Sequence, residues 1–396
     1  MHAADPVRLA AELIRYDTTN PPGGEEMALR HLAGILAPAG FVVTMDAFAP
    51  AQGGTVTTGR ASLVARLPGT RPGPALCFAG HIDTVPLGTA PWSVPPLGGE
   101  EREGRLYGRG ASDMKSGIAA MCAAALRMAG EDARSDMVLC VFGGEETGCE
   151  GSFHVARDPA LLDLLRRVGA VVVCEPTRNR PLLGHKGALW LECGFTGRTA
   201  HGSMPELGDN ALYKAVDAVA RIRALDFGAP PHPHLGGWTC SVNTLHAGQN
   251  TNSVPDRATL RIDIRTIPGQ RGAVMARKVA EAAGEPGEPG EPGEEVEMGV
   301  LLDIPAVWTE PDHPWVRRAF GLLAEYLDAP PGIESVQFFT DAAALRTALP
   351  DAPVLILGPG DPALAHRTDE FAETAQIRAA TDMYAALARQ WCAQAG

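Results

Sequence analysis

The chain has 396 residues, 45% of them hydrophobic and 20% charged, with a formal net charge of −13 at pH 7. This is enough material for two domains of ordinary globular composition. The acidic balance argues against a nucleic-acid or anionic-membrane partner, because both call for basic patches.

The N-terminus opens on Asp5 followed by Pro6, the signature of a capped helix start. No basic segment followed by a long apolar stretch precedes it, so no signal peptide is expected. The strand candidates FVVTMDAF at Phe41, RASLVARL at Arg60 and ALCFAGH at Ala75 come next. An Ala-rich helix follows from Ser116; it is too short to span a bilayer and carries Arg127. The strand MVLCVF, a helix through Leu161 to Arg167 and the strand AVVVC at Ala170 complete an alternation that predicts an α/β layer with a mostly parallel sheet flanked by helices. In such a layer ligands sit at the carboxyl ends of the strands.

From about His185 the texture changes. Longer alternating strands, KGALWLECGF and TLRIDIRTI, enclose a helix from Asn210 to Leu225, and another helix is expected near Gly272 to Ala283. These segments predict a smaller α+β insertion over residues 184–300 that interrupts a discontinuous main domain, 1–183 and 301–396. A helix around Pro314 to Tyr326, the strand PVLILGPG and a helix from Thr374 to about Ala393 return to the α/β pattern. The triplet stretch GEPGEPGEPGEE from Gly284 is too short for a collagen helix and reads as a solvated acidic loop. The eight cysteines include no Cys-x-x-Cys pair and several lie in strand-like runs, as for buried, reduced thiols of a cytoplasmic protein.

The strand ends carry the chemistry. HIDTVP sets His81 and Asp83 on one face if the strand continues that far, and a carboxylate beside an imidazole can fix its tautomer. Asp113 in GRGASDMKSG is a metal ligand or a helix cap. Glu175 closes VVVCEPT, and His366 lies in GPGDPALAHRTDE. Glu145 and Glu146, adjacent in VLCVFGGEETGCEG, resist ionisation at the edge of a core unless a cation or hydrogen bonds compensate them, the plainer alternative being a solvated turn. Taken together, His81, Asp113, Glu146, Glu175 and His366 are the donors of a site for two divalent ions that share a carboxylate.

HIDTVP, PWSVPPLGG with YGRGASDMKSG, GGEETG, CEPT, TGRTAHGSMPELGDNA, NSVPD with DIRTIPG, and GPG with AHRTDE occur in one order. In this the chain resembles, over nearly its whole length, the co-catalytic metallopeptidase family that includes acetylornithine deacetylase, succinyl-diaminopimelate desuccinylase and glutamate carboxypeptidase. The resemblance implies one ion held by His81, Asp113 and Glu175 and the other by Asp113, Glu146 and His366, with zinc as the metal and cobalt able to substitute. It further implies that Asp83 orients His81, that a cis peptide follows Asp113, and that the insertion is a lid through which the chain forms a homodimer.

The same resemblance makes Glu145 the general base of an amide hydrolase and His201 a donor to the developing oxyanion, reaching in from the partner's lid. Arg265, a guanidinium fork suited to a substrate carboxylate, and Asn252 are the substrate-binding candidates. Arg265 has a plainer alternative as an exposed strand residue paired with Asp263. Where desuccinylases carry an arginine pair before the first lid strand, this chain has His185 and Lys186. That departure ranks an N-acyl-amino-acid deacylase first, ahead of a dipeptidase, carboxypeptidase or desuccinylase. A non-catalytic binding member of the fold would lack a ligand or the base, and none is missing.

Overall fold

The computed structural model describes residues 5–49, 60–70, 73–131, 135–284 and 296–394. Except for Gly284 itself, the Gly-Glu-Pro triplet stretch lies outside the described residues. The chain divides into two compact units: Met1–Gly184 with Trp308–Ser335 and Thr340–Gly396, and His185–Val307 with Val336–Phe339.

The larger unit is built on a six-stranded sheet in the order Val42–Ala47, Ala61–Leu67, Met137–Phe142, Ala75–His81, Val168–Val173, Val354–Ile356. The last four run parallel to one another; the first two pair antiparallel at one edge. Every residue of Ala75–His81 and of Met137–Phe142 is buried, as continuous apolar runs require when helices cover both faces. The edge strand Val42–Ala47 alternates partly exposed residues instead. The helices Ser116–Ala129 and Thr374–Gln394 belong to this unit, and their inward side chains share a core with Phe78, Leu139 and Val172. The Tyr384 ring packs tilted against Phe78, with ring centres 5.3 Å apart, and its hydroxyl donates to the Leu357 carbonyl at 2.6 Å. Burying an aromatic or aliphatic side chain of this kind is worth about 1.5–3 kcal/mol.

Helix Ser116–Ala129 can approach the sheet closely because Gly117 has no side chain: a Cβ there would lie 2.1 Å from the Cys174 carbonyl oxygen. Its start is thereby set against the end of strand Val168–Val173, so the turn carrying Asp113 lies above the strand ends. Among the described residues no helix is long and apolar enough to cross a membrane.

The smaller unit holds a four-stranded antiparallel sheet in the order Thr239–Ala247, Arg257–Thr266, Gly187–Thr196, Glu297–Ile304. Leu189, Leu191 and Cys193 lie directly opposite Ile264, Ile262 and Leu260 on the neighbouring strand, and with Phe195 they share a core with the helices Ala211–Arg223 and Gly272–Ala283. Asn210 caps the first helix, its Oδ1 accepting from Leu212 N at 3.0 Å. The sequence boundary at 300/301 falls inside strand Glu297–Ile304, because that strand completes the sheet by pairing with Gly187–Thr196.

Candidate metal centre

Strand register brings the candidate ligands to one level. His81 is the last residue of its strand and lies opposite Phe142, while Ala79 lies opposite both Cys140 and Val173. Two residues beyond Val173 is Glu175, so it reaches the level of His81. Glu145 and Glu146 follow Phe142 after two glycines. Gly144 takes φ +77°, a conformation that a side chain would strain, and turns the chain there.

Asp113 occupies the centre. Its Oδ1 lies 3.2 Å from His81 Nε2 and its Oδ2 lies 3.4 Å from His366 Nε2. Each carboxylate oxygen therefore faces a different imidazole. His366 Nε2 is also 3.1 Å from Glu146 Oε2, and His81 Nε2 is 4.0 Å from Glu175 Oε1. Donor atoms of His81, Asp113 and Glu146 all fall within 4.8 Å of one another. Asp113 does not cap the following helix, whose N-cap is Lys115 without a side-chain hydrogen bond. The peptide between Asp113 and Met114 is cis.

The electrostatics of the cluster call for cations. Burial, then the charges of Glu175, Glu146 and Asp341, hold the Glu145 carboxyl well above the usual carboxylate range against the pull of His81. Burial likewise raises Glu175 and Glu146. Burial would lower His81, but hydrogen bonds to Asp113 and Asp83 and the charges of Glu175 and Glu145 hold it well above its ordinary value. Hydrogen bonds to Asp113 and Glu146 push His366 up to about 10. Protons on the two imidazoles thus stand where positive charge is wanted. Glu146 Oε1 is buried and has no hydrogen-bond partner among the described residues. An orphaned carboxylate oxygen beside two imidazoles and a shared aspartate is a donor set that fits divalent ions such as zinc.

Asp83 is fully buried and serves more than His81. The His81 ring Nδ1 lies 3.0 Å from the Asp83 carbonyl and 3.6 Å from its carboxylate. The carboxylate itself accepts the backbone N–H of Glu145 at 3.1 Å, that of Glu146 at 3.2 Å, and Asn20 Nδ2 at 2.9 Å. It therefore anchors the acidic pair. Asn20, whose amide also bonds Thr147 Oγ1 at 2.9 Å, was not singled out in the sequence, and no spacing signal links it to residues so far along the chain. Asp341 was missed for the same reason; it is buried, and that burial pushes its carboxyl up to about 7.

Within the smaller unit, His201 and Asn252 come together: Gly202 N donates to the Asn252 carbonyl at 2.7 Å, and His201 pairs with Ser253 in a bridge. His201 Nδ1 accepts the Ser203 backbone N–H at 3.1 Å and meets Ser203 Oγ at 2.7 Å. With Nδ1 an acceptor, the neutral ring carries its proton on Nε2. Arg265 is paired in a fork with Asp263, at 2.8 Å and 3.0 Å, and Asp263 also accepts Trp190 Nε1 at 3.0 Å. The strand pairing expected as its alternative is thus the contact that Arg265 makes.

Residues 77–390 match the profile of Peptidase family M20/M25/M40. The chain is 31% identical to succinyl-diaminopimelate desuccinylase of Parvibaculum lavamentivorans, over 98% of this chain and 96% of that one. It is 36% identical to the enzyme of the same name from Rhodospirillum centenum, over 66% and 68% of the two chains. It is 28% identical to acetylornithine deacetylase of Klebsiella pneumoniae, over 80% of each. In fold it is similar to aminopeptidase PepT of Bacillus cereus, with TM-score 0.74 and 20% identity over the whole of both chains. It is also similar to an M20 family metallo-carboxypeptidase of Sulfolobus solfataricus, with TM-score 0.76 and 16% identity over 98% of this chain and 100% of that one. Family profile, full-length relatives and the histidine–carboxylate cluster at the strand ends agree: the chain belongs to peptidase family M20/M25/M40 and is a metallohydrolase that acts on amide bonds.

Proposed function

We propose that the chain removes the acyl group from an N-acyl amino acid, with His81, Asp113 and Glu175 holding one divalent ion, Asp113, Glu146 and His366 a second, and Asp113 shared. The observation that carries this reading is the Asp113 carboxylate, with one oxygen toward each imidazole. Bound there, two zinc ions would supply Lewis-acid polarisation of the scissile carbonyl and a water of lowered pKa.

The chain's own residues do the rest. Glu145 takes the proton of the attacking water on a carboxylate oxygen and returns it to the amide nitrogen as the C–N bond breaks, leaving a free acid and a free amine. Asp83 holds the Glu145 and Glu146 backbone in place. His201 offers Nε2–H to the oxyanion as it develops, an interaction worth a few kcal/mol in comparable sites. In the homodimer we propose, formed through the smaller unit acting as a lid, His201 of one protomer serves the other. Mixing the inactive variants His201→Ala and Glu145→Gln should then restore part of the activity once subunits exchange. Persistent inactivity after exchange has been demonstrated by mass spectrometry would remove the shared site.

For the acyl group, His185 is fully buried, its Nδ1 bonded to the Lys186 carbonyl, and Lys186 Nζ donates to the Gly237 carbonyl at 2.7 Å. Neither resembles a guanidinium pair open to a second substrate carboxylate. Arg265 and Asn252 remain the candidates for the amino-acid carboxylate, and Arg265 would have to exchange its Asp263 partner for substrate. N-acetylornithine and other neutral-acyl substrates are therefore expected to be cleaved faster than N-succinyl-diaminopimelate, in a cytoplasmic setting. The names of the desuccinylase relatives favour the second reading, a diacid substrate. Steady-state kcat/KM on both substrates decides between the two, and a succinyl preference would reject the first.

A further inference from the structure

Between the segments that carry Asp113 and His366 lies a buried ion pair to which the proposed chemistry gives no part. Glu370 is fully buried and Arg109 is 2% exposed, and they are 261 positions apart in sequence. The Glu370 carboxylate is saturated by the loop that presents Asp113. Oε1 accepts the backbone N–H of Ser112 at 2.9 Å and of Asp113 at 3.0 Å; Oε2 accepts that of Gly110 at 3.1 Å and Arg109 Nη1 at 2.7 Å. With two donors on each oxygen, no lone pair is left for an ion. Glu370 is thus excluded as a ligand although it lies beside one.

Arg109 grips the other segment. Its Nη1 also donates to the Arg367 carbonyl at 3.1 Å, and its Nη2 to the carbonyls of Pro86 at 3.2 Å and His366 at 3.5 Å. Its guanidinium lies 5.2 Å from the centre of the Trp92 ring. His366 has φ +64°, a conformation that residues with side chains keep only where their surroundings over-determine it. The Gly108 N–H donates to the Glu370 carbonyl at 2.9 Å and ties the two segments together a further time.

We infer that Glu370 and Arg109 are positioning residues: one ion pair sets the separation of Asp113 and His366, ligands drawn from two distant segments, before any metal arrives. The inference rests on the metal-site reading above. Groups that orient ligands from behind commonly affect metal affinity about 10–100-fold when removed. Glutamine at 370 would set an NH2 group against N–H donors; lysine at 109 would keep the charge and lose the fork.

The test is titration of metal-stripped, full-length protein with Co2+ alone, read by the visible absorption of the bound ion, on Glu370→Gln and Arg109→Lys. The expected result is affinity lowered about 10–100-fold with an altered cobalt spectrum, in protein whose circular dichroism stays native. A folded variant with unchanged affinity and spectrum overturns the inference, whatever its melting temperature. Failure of both variants to fold overturns it too, in favour of a pair that serves stability alone. His366→Ala and Glu146→Gln are the controls. If these leave cobalt binding intact, the metal-site reading itself fails; if they weaken it and Glu370→Gln does not, only the positioning role is lost.

Discussion

Glu145→Gln is expected to lower turnover by ~10²–10⁴-fold, the usual contribution of general acid–base catalysis, while keeping close to two ions per chain. Its neighbour should behave differently. Glu146 faces His366 Nε2 at 3.1 Å and carries an orphaned oxygen, so Glu146→Gln should lower metal content and activity together. Glu145 points elsewhere, with Oε1 3.8 Å from Cys149 Sγ. The Asp83 carboxylate holds both backbones, so each glutamine variant should leave the turn in place and report on its own side chain. Metal analysis by mass spectrometry beside kcat decides the matter. Loss of metal from Glu145→Gln, or full occupancy in Glu146→Gln, would reverse the two roles.

Stripping the metal should abolish amide hydrolysis, and zinc or cobalt should restore it. Within the site Glu145, Glu146, Glu175 and Asp113 are brought close together; burial holds the three glutamate carboxyls above the usual carboxylate range, while against its burial the hydrogen bonds to His366 and His81 hold Asp113 below it. Without cations that charge is compensated only by protons, and the Lewis acid that activates water is gone. Ions that bind a native arrangement and not the unfolded chain stabilise the fold by mass action. Restoring them at 100 times their dissociation constant should therefore stabilise the fold by about 2.7 kcal/mol per site, visible as a raised melting temperature. Activity that survives exhaustive chelation, with metal content verified as nil, would refute the mechanism.

Much of the larger unit was legible because its central strands are short apolar runs ended by polar residues: ALCFAG stops at His81 and VVVC stops at Glu175. The strands Val42–Ala47 and Ala61–Leu67 were expected as elements, but that Ala61–Leu67 runs antiparallel to both of its neighbours depends on pairings across the sheet. Asp113 could be read as a ligand or a cap, and only the geometry at the start of the Ser116–Ala129 helix removes the cap. Arg265 illustrates the converse, since a fork suited to a carboxylate is equally suited to Asp263 two residues away.

By itself the sequence determined the alternation of elements and the identity of the side chains that end them, because periodicity and strand-terminating polar residues are local properties. It also carried the resemblance that implied the ligand set. The tertiary structure alone decided which oxygen of Asp113 faces which imidazole, that the Asp83 carboxylate binds the Glu145 and Glu146 backbone, and that Glu370 is saturated by the loop of Asp113. Those are contacts between residues tens to hundreds of positions apart. Their distances follow from how helices pack on the sheet, and no local spacing in the chain encodes them.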